Sequence, residues 1–173
     1  INVNVTLLFS VERYERVAEA YLRALERRLE EGRSVDDVAS VASFFLSRID
    51  VLVDRLLGDR LDGGRSEPRP RPQDLLGRVA IANAKLAYQR FRRLFDGERW
   101  ERLEAEGAAV QRVLWASTST KDPLYGDVRY VESLIGPDTV NTLPDRTIAA
   151  FADHGRVERT VDRDVEDARR ILD

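Results

Sequence analysis

The sequence predicts an α/β fold made of four strand–helix units, about half of a (β/α)8 TIM barrel. Three observations predict it. Segments with strand periodicity alternate with amphipathic helical segments along the whole chain, the order that gives a parallel sheet with helices packed outside. The first strand puts Asn4 and Thr6 on one face, and the second puts Ser43, Phe45 and Ser47 on one face. Central strands of a doubly wound sheet are covered on both sides and read as continuous apolar runs instead. Finally, 173 residues are too few for a complete barrel, which needs about 250.

Each element follows from local pattern. In residues 1–9, INVNVTLLF, the apolar Val3, Val5 and Leu7 alternate with Asn4 and Thr6, a period of two. Ser10 stands where a helix N-cap belongs. Val17, Ala18, Tyr21, Leu22, Leu25 and Leu29 then follow helical spacing up to Gly32, which suits a helix end. Ser34-Val35-Asp36-Asp37 has the form of a capping box for a short helix. Val38 to Arg48 is the second strand, followed by a helix from about Asp50 to Leu61. GGRSEPRPRP comes next, and residues 62–72 read as an exposed loop insertion within a single domain spanning 1–173. Its arginines read as a solvated loop. Residues 73–106 read as two helices broken near Asp96-Gly97, and Val110 to Ala116 as the third strand. Asp127 to Ile135 is helical up to Gly136, and Asp138 to Thr142 is a fourth strand. Pro144 and Gly155 bracket a helix, and Val161 to Leu172 is a last amphipathic one.

Composition removes several function classes. Hydrophobic residues at 43% allow a packed core, and 31 acids against 28 bases leave a net charge of -3, with no basic footprint for a nucleic acid. No apolar run approaches the length of a membrane span. There is no cysteine, and His154 is the single histidine, so thiolate chemistry and a multi-histidine metal cluster are excluded, and no Ser-His pair is expected. Neither GxGxxG nor a P-loop is present; no cofactor and no metal are expected. All bases except Lys85 and Lys121 are arginine, so an amine nucleophile would have to be one of those two. Lys85 lies in a helical run and reads as a surface or stem-packing lysine. His154 reads as a partner of its helix's last carbonyls, and Trp100 and Trp115 as packing residues. The chain holds no methionine and begins at Ile1 in a strand-like run; further residues are expected upstream.

Barrel enzymes carry their chemistry at the carboxyl ends of the strands and in the loops that follow. Those positions hold Asn4 and Thr6, then Ser43, Phe45 and Arg48, then Ser117, Ser119 and Lys121, then Asn141. Arg48 and Lys121 each follow a strand, and with hydroxyls from Ser117 or Ser119 they have the makings of a phosphate clamp, a planar fork beside a point charge. The competing assignment pairs Arg48 with Asp50 or Asp54 and leaves Lys121 as a solvated loop residue.

These residues also carry a resemblance. Asn2-Val3-Asn4-Val5-Thr6-Leu7-Leu8-Phe9-Ser10 resembles the fifth-strand motif of transaldolases, and Ser40 to Asp50, SVASFFLSRID, resembles their sixth strand. Leu114 to Pro123, LWASTSTKDP, and Gly136 to Pro144, GPDTVNTLP, resemble the seventh- and eighth-strand segments of a longer bacterial branch. The resemblance implies the C-terminal half of a (β/α)8 barrel in a cytoplasmic enzyme of the pentose phosphate pathway. Such an enzyme moves a dihydroxyacetone unit through a Schiff base, converting sedoheptulose 7-phosphate and glyceraldehyde 3-phosphate to erythrose 4-phosphate and fructose 6-phosphate. It implies Thr6 holding the catalytic water, Asn4 at the carbinol and Schiff-base centre, Ser43 on the substrate hydroxyls and Phe45 lining the pocket. It implies phosphate contacts from Arg48, Ser117 and Lys121, where many transaldolases have an arginine at the last position. The family's Schiff-base lysine and catalytic carboxylates lie on earlier strands, before Ile1. Lys121, among hydroxyls, suits phosphate better than the desolvated pocket a nucleophilic amine needs. The expected partners are therefore sugar phosphates and the missing N-terminal half, or a second copy of the chain, and the isolated chain is expected to be inactive. The alternative is a non-catalytic phosphate-binding or interaction module derived from a half barrel.

Overall fold

A computed structural model of the chain describes residues 2–62 and 72–173. Four strands, β1 (Asn2–Leu8), β2 (Ala39–Phe45), β3 (Arg112–Ala116) and β4 (Thr139–Asn141), form one sheet in the order β1-β2-β3-β4. Every neighbouring pair is parallel. The helices among the described residues are α1 (Val11–Glu30), α2 (Ser47–Asp62), α3 (Pro72–Leu75), α4 (Val79–Leu94), α5 (Glu98–Ala105), α6 (Arg129–Glu132), α7 (Asp145–His154) and α8 (Val165–Leu172). Strand order equals chain order without the reversal that marks a doubly wound sheet. The architecture is that of a partial (β/α)8 barrel. The loop insertion expected over 62–72 falls almost entirely on residues 63–71, outside the described residues.

One face of the sheet builds the core. Ala42 and Phe44 of β2 and Val113 and Trp115 of β3 are buried in one cluster with Ala18, Leu22 and Leu25 of α1 and Ala84, Tyr88 and Phe91 of α4. Phe44 meets Trp115 edge to face with ring centroids 6.2 Å apart, a favoured aromatic geometry. The Trp115 indole N–H donates to the Leu134 carbonyl at 2.9 Å. The register sets Phe44 beside Trp115 and Ser43 beside Leu114. Alternate residues therefore face the opposite side, toward what would be the barrel interior.

Capping at the start of α1 is as expected: Ser10 accepts from the Arg13 N–H at 3.2 Å, and Gly32 takes a left-handed φ of 69° just past the helix. Gly136 is required by closeness rather than by φ, since a Cβ there would stand 2.2 Å from Val161 Cγ1. Val161 itself is buried ahead of α8, which begins only at Val165.

Four further expectations change. Leu7 does not continue the alternation of Val3 and Val5. It has a φ of 63° and is 55% exposed, while Leu8 enters the core opposite Phe44. A bulge between Val5 and Leu8 shifts the register by one, and such a shift exchanges the faces of all following residues. Residues 34–37 form a turn closed by Val38 N–H to Val35 O at 3.2 Å, because too few residues separate Gly32 from β2 for a helix. Ser47 opens α2 and is not a strand residue. The helix expected over 127–135 is regular only across Arg129–Glu132.

Candidate functional site

The expected residues form two groups of contacts, one between β1 and β2 on the face turned away from the helical core and one beyond the carboxyl ends of β2 and β3. Ser43 Oγ donates to Asn4 Oδ1 at 2.6 Å, so β1 and β2 share one polar contact on that face. Thr6 lies farther along β1 and is exposed. Phe45, at the end of β2, sits 5.4 Å from the Phe9 ring. The Arg48 guanidinium lies 5.0 Å from the Phe45 ring centroid, a cation–π distance.

The end of β3 is tied directly to the start of α2. Ser47 N–H donates to Ser117 O at 3.0 Å, and the two side-chain hydroxyls lie 2.8 Å apart. Ser117 has a φ of 57°, an uncommon conformation for a residue with a side chain and one that gathers at functional sites. Lys121 Nζ donates to Ser119 Oγ at 2.8 Å. Arg48 and Lys121 open onto one cavity of about 360 Å³, together with Ser47, Val51, Leu52 and Arg55. A larger neighbouring cavity of about 710 Å³ shares Val51, Arg55 and Lys121 with it.

Arg48 does not pair with Asp50 or Asp54. Asp50 accepts from Ala80 N–H at 2.8 Å and from the Tyr130 hydroxyl at 2.7 Å. Asp54 accepts from Gly77 N–H at 2.9 Å and from the Tyr125 hydroxyl at 2.8 Å. Asp50 is thus engaged with α4 and Asp54 with the residue just ahead of its N-cap, and both with the segment after β3. Burial pushes the Asp50 carboxyl above the ordinary carboxylate range, against the pull of its bonds from Ala80 and Tyr130. Burial also pushes the Tyr130 hydroxyl well up. The α2 spacing of Asp50 and Asp54, one turn apart, was a signal available in the sequence. Their tyrosine partners, in a distant segment, were not.

Three other residues fall elsewhere. Asn141 pairs in register with Trp115, the core-facing parity, and its side-chain oxygen lies 3.0 Å from Thr118 Oγ1. It braces the loop after β3 rather than facing the site. Lys85 is buried, not a surface residue, and donates to the Arg163 carbonyl at 2.8 Å. Burial lowers its pKa, but it lies in the helical layer beside Ala168 and Ile171 of α8. His154 meets no helix carbonyl; its ring nitrogens lie 2.9 Å from Asp127 and 3.2 Å from Asp153, and the Asp127 bond raises its pKa. Among the described residues no group of three or more histidine, cysteine or acidic side chains could hold a metal ion, and no helix is long and apolar enough to cross a membrane.

A family model described as Transaldolase/Fructose-6-phosphate aldolase matches residues 1–173. The chain is 52% identical to "Transaldolase 2" of a Nostoc species, an alignment covering 100% of the chain and 46% of the relative. It is 51% identical to a protein named transaldolase from Trichodesmium erythraeum, with 100% and 46% covered. It is 46% identical to one of that name from Mycolicibacterium paratuberculosis, with 100% and 45% covered. The chain spans about half the length of the curated relatives it matches.

Proposed function

The chain belongs to the transaldolase/fructose-6-phosphate aldolase family, and from that premise we propose that it forms the phosphate-binding half of a transaldolase site. The observation that carries the reading is the convergence of Arg48 and Lys121 on one cavity, beyond the ends of the strands that carry Ser43 and lead to Ser117. Arg48 meets no carboxylate among the described residues, and its guanidinium lies over the Phe45 ring. An arginine in that state keeps its fork of donors for a phosphate. Lys121, resting on Ser119, adds a point charge on a flexible stem, and Ser117 adds a hydroxyl.

The reaction that fits is transfer of a dihydroxyacetone unit between sugar phosphates through a Schiff base. The amine attacks the ketose carbonyl, water leaves, and the carbon–carbon bond beyond the adjacent hydroxyl breaks to release an aldose. The amine comes from outside residues 1–173. Lys85 is buried between helices, and Lys121 stands among hydroxyls. In this chain Asn4 stands at the reacting carbon, Thr6 holds the water that moves protons, and Ser43 binds the substrate hydroxyls. The bond between Ser43 and Asn4 supports that grouping. The remainder of the barrel pairs with β1, whose Val3 and neighbouring Phe9 are exposed.

Substitution in the complete protein tests this. Arg48→Ala should cost about 2–3 kcal/mol of transition-state binding on phosphorylated substrates, the range for hydrogen bonds to charged groups. That is roughly thirty- to a hundredfold or more in kcat/KM. Dihydroxyacetone, which has no phosphate, should be spared. Lys121→Ala should act the same way, more weakly. Equal losses on phosphorylated and unphosphorylated donors would remove the phosphate assignment. Borohydride trapping with fructose 6-phosphate should leave Lys121 and Lys85 unmodified, and an adduct on either would displace the proposed source of the amine.

A further inference from the structure

Two carboxylates one turn apart on α2 make the same unusual contact. Asp50 takes the Ala80 N–H on one oxygen and the Tyr130 hydroxyl on the other. Asp54 takes the Gly77 N–H on one oxygen and the Tyr125 hydroxyl on the other. Each therefore joins three segments: α2, the first turn of α4 (Asp50) or the residue just ahead of its N-cap (Asp54), and the stretch after β3. Arg78, at the N-cap of α4, makes no side-chain cap bond; one of that helix's free N–H groups, Ala80, is met by Asp50 from α2, and Gly77, just ahead of the cap, is met by Asp54.

Gly77 is shaped for this arrangement. Its φ is 64°, and a Cβ would lie 2.5 Å from the Tyr125 ring. Arg129 closes the group from the other side: it donates to Gly77 O at 2.6 Å and lies 4.7 Å from the Tyr125 ring centroid.

The position of the two cations gives the arrangement its meaning. Arg48 lies on α2 between Ser47, bonded to Ser117, and Asp50, bonded to Tyr130. Lys121 lies between Ser117 and Tyr125, on the segment that supplies both tyrosines. The distance between guanidinium and ammonium is thus governed by bonds at either end of each short segment. We propose that Asp50 and Asp54, with Tyr130 and Tyr125, are positioning residues that set the spacing of Arg48 and Lys121 and so tune the protein for the phosphate of its substrate. This rests on the phosphate reading above. The four side chains need not touch substrate; they act through the two cations.

The test uses the complete protein with three variants: Tyr125→Phe combined with Tyr130→Phe, Asp54→Asn, and Arg48→Ala as reference. The tyrosine pair removes one bond from each carboxylate and keeps the rings in place. It should raise KM for fructose 6-phosphate about three- to tenfold, the worth of one ordinary hydrogen bond. The Ki of inorganic phosphate should rise by the same factor, with kcat and turnover of dihydroxyacetone unchanged. Asp54→Asn should shift the same quantities in the same direction. If Arg48→Ala discriminates between the donors while the tyrosine variant leaves KM and the phosphate Ki unchanged, the positioning role is wrong and the phosphate site stands. Loss of activity on both donors alike would make the clamp general scaffolding and overturn the proposal. If Arg48→Ala itself fails to discriminate, the phosphate site falls and the positioning role with it. Should Asp54→Asn fail to fold, the tyrosine variant decides alone.

Discussion

The two faces of the sheet are built from alternate residues of the same strands, yet they differ in almost every respect. On the outer face Ala42, Phe44, Val113 and Trp115 are at most 1% exposed and bury themselves among aromatic and small side chains from α1 and α4. On the inner face Asn4 and Thr6 are exposed and Ser43 meets the Asn4 amide, while Arg48, beyond the end of β2 in the first turn of α2, meets a ring. Burial of apolar area stabilises; polar groups poised without full partners are what a ligand needs. Stability and chemistry are therefore separated by a step of one residue along a strand, and substitutions one position apart should have unlike effects.

The strongest way to break the outer face is Trp115→Ala. It removes the contact with Phe44 and the N–H bond to Leu134, and should cost about 3–5 kcal/mol of stability, the range for buried aromatics cut to alanine. Urea denaturation measures it, and the preference for phosphorylated donors should stay as it was. Ser43→Ala, on the inner face of β2, is the counterpart. Loss of its bond to Asn4 should cost only about 1 kcal/mol of stability. Turnover should fall for phosphorylated and unphosphorylated donors alike, since the residue is assigned to substrate hydroxyls. A selective effect on one donor class would move Ser43 into the phosphate site.

Two smaller effects concern charges away from both faces. Burial disfavours protonated Lys85 in the fold, so the folded chain holds fewer protons than the unfolded chain between the lowered value and the ordinary 10.5. Stability should rise with pH through that window. Lys85→Met should lack the rise, seen as urea midpoints that converge with those of the parent as the pH climbs. His154 has the opposite sign. Its pKa is raised from 6.5, chiefly by the bond to Asp127, so its stabilising effect is complete below 6.5 and is lost as pH rises through the folded value. Asp127 is held below its ordinary 3.8 by the same bond; its part is present above 3.8 and lost as pH falls through the folded value. As the single histidine in the sequence, His154 gives an unambiguous proton-NMR titration. Its midpoint should drop toward 6.5 in Asp127→Asn while remaining somewhat raised by Asp153.

What could be read from the sequence was what depends on near neighbours. The Ser10 cap, the turn at Gly32, the break at Asp96-Gly97 and the strand-end positions of Ser43 and Phe45 all rest on contacts or periodicity within a few residues. Leu7-Leu8-Phe9 defeated that reasoning, because three apolar residues in a row satisfy either register and only the pairing with β2 reveals the bulge. Asn141 was assigned to the site from its place at a strand end, but the register of a three-residue strand decides its face. Between a surface and a stem-packing lysine the sequence does not choose for Lys85, because its partner carbonyl, Arg163, is 78 residues away. The bonds from Asp50 and Asp54 to tyrosines span 80 and 71 residues, a separation at which no local pattern operates.

Strand order identical to chain order also bears on how the molecule is made. No strand has to be inserted between two neighbours that are already paired, so each new strand adds to the edge left by the one before it. Synthesis at about 5–20 residues per second lets the earlier part of a chain begin folding before the later part exists. Pairing of β1 with β2 can begin once Phe45 has emerged, whereas the fourth strand waits for Asn141. In between, the growing edge is an unfinished surface with exposed backbone donors, protected only by the time it takes for the next strand to arrive.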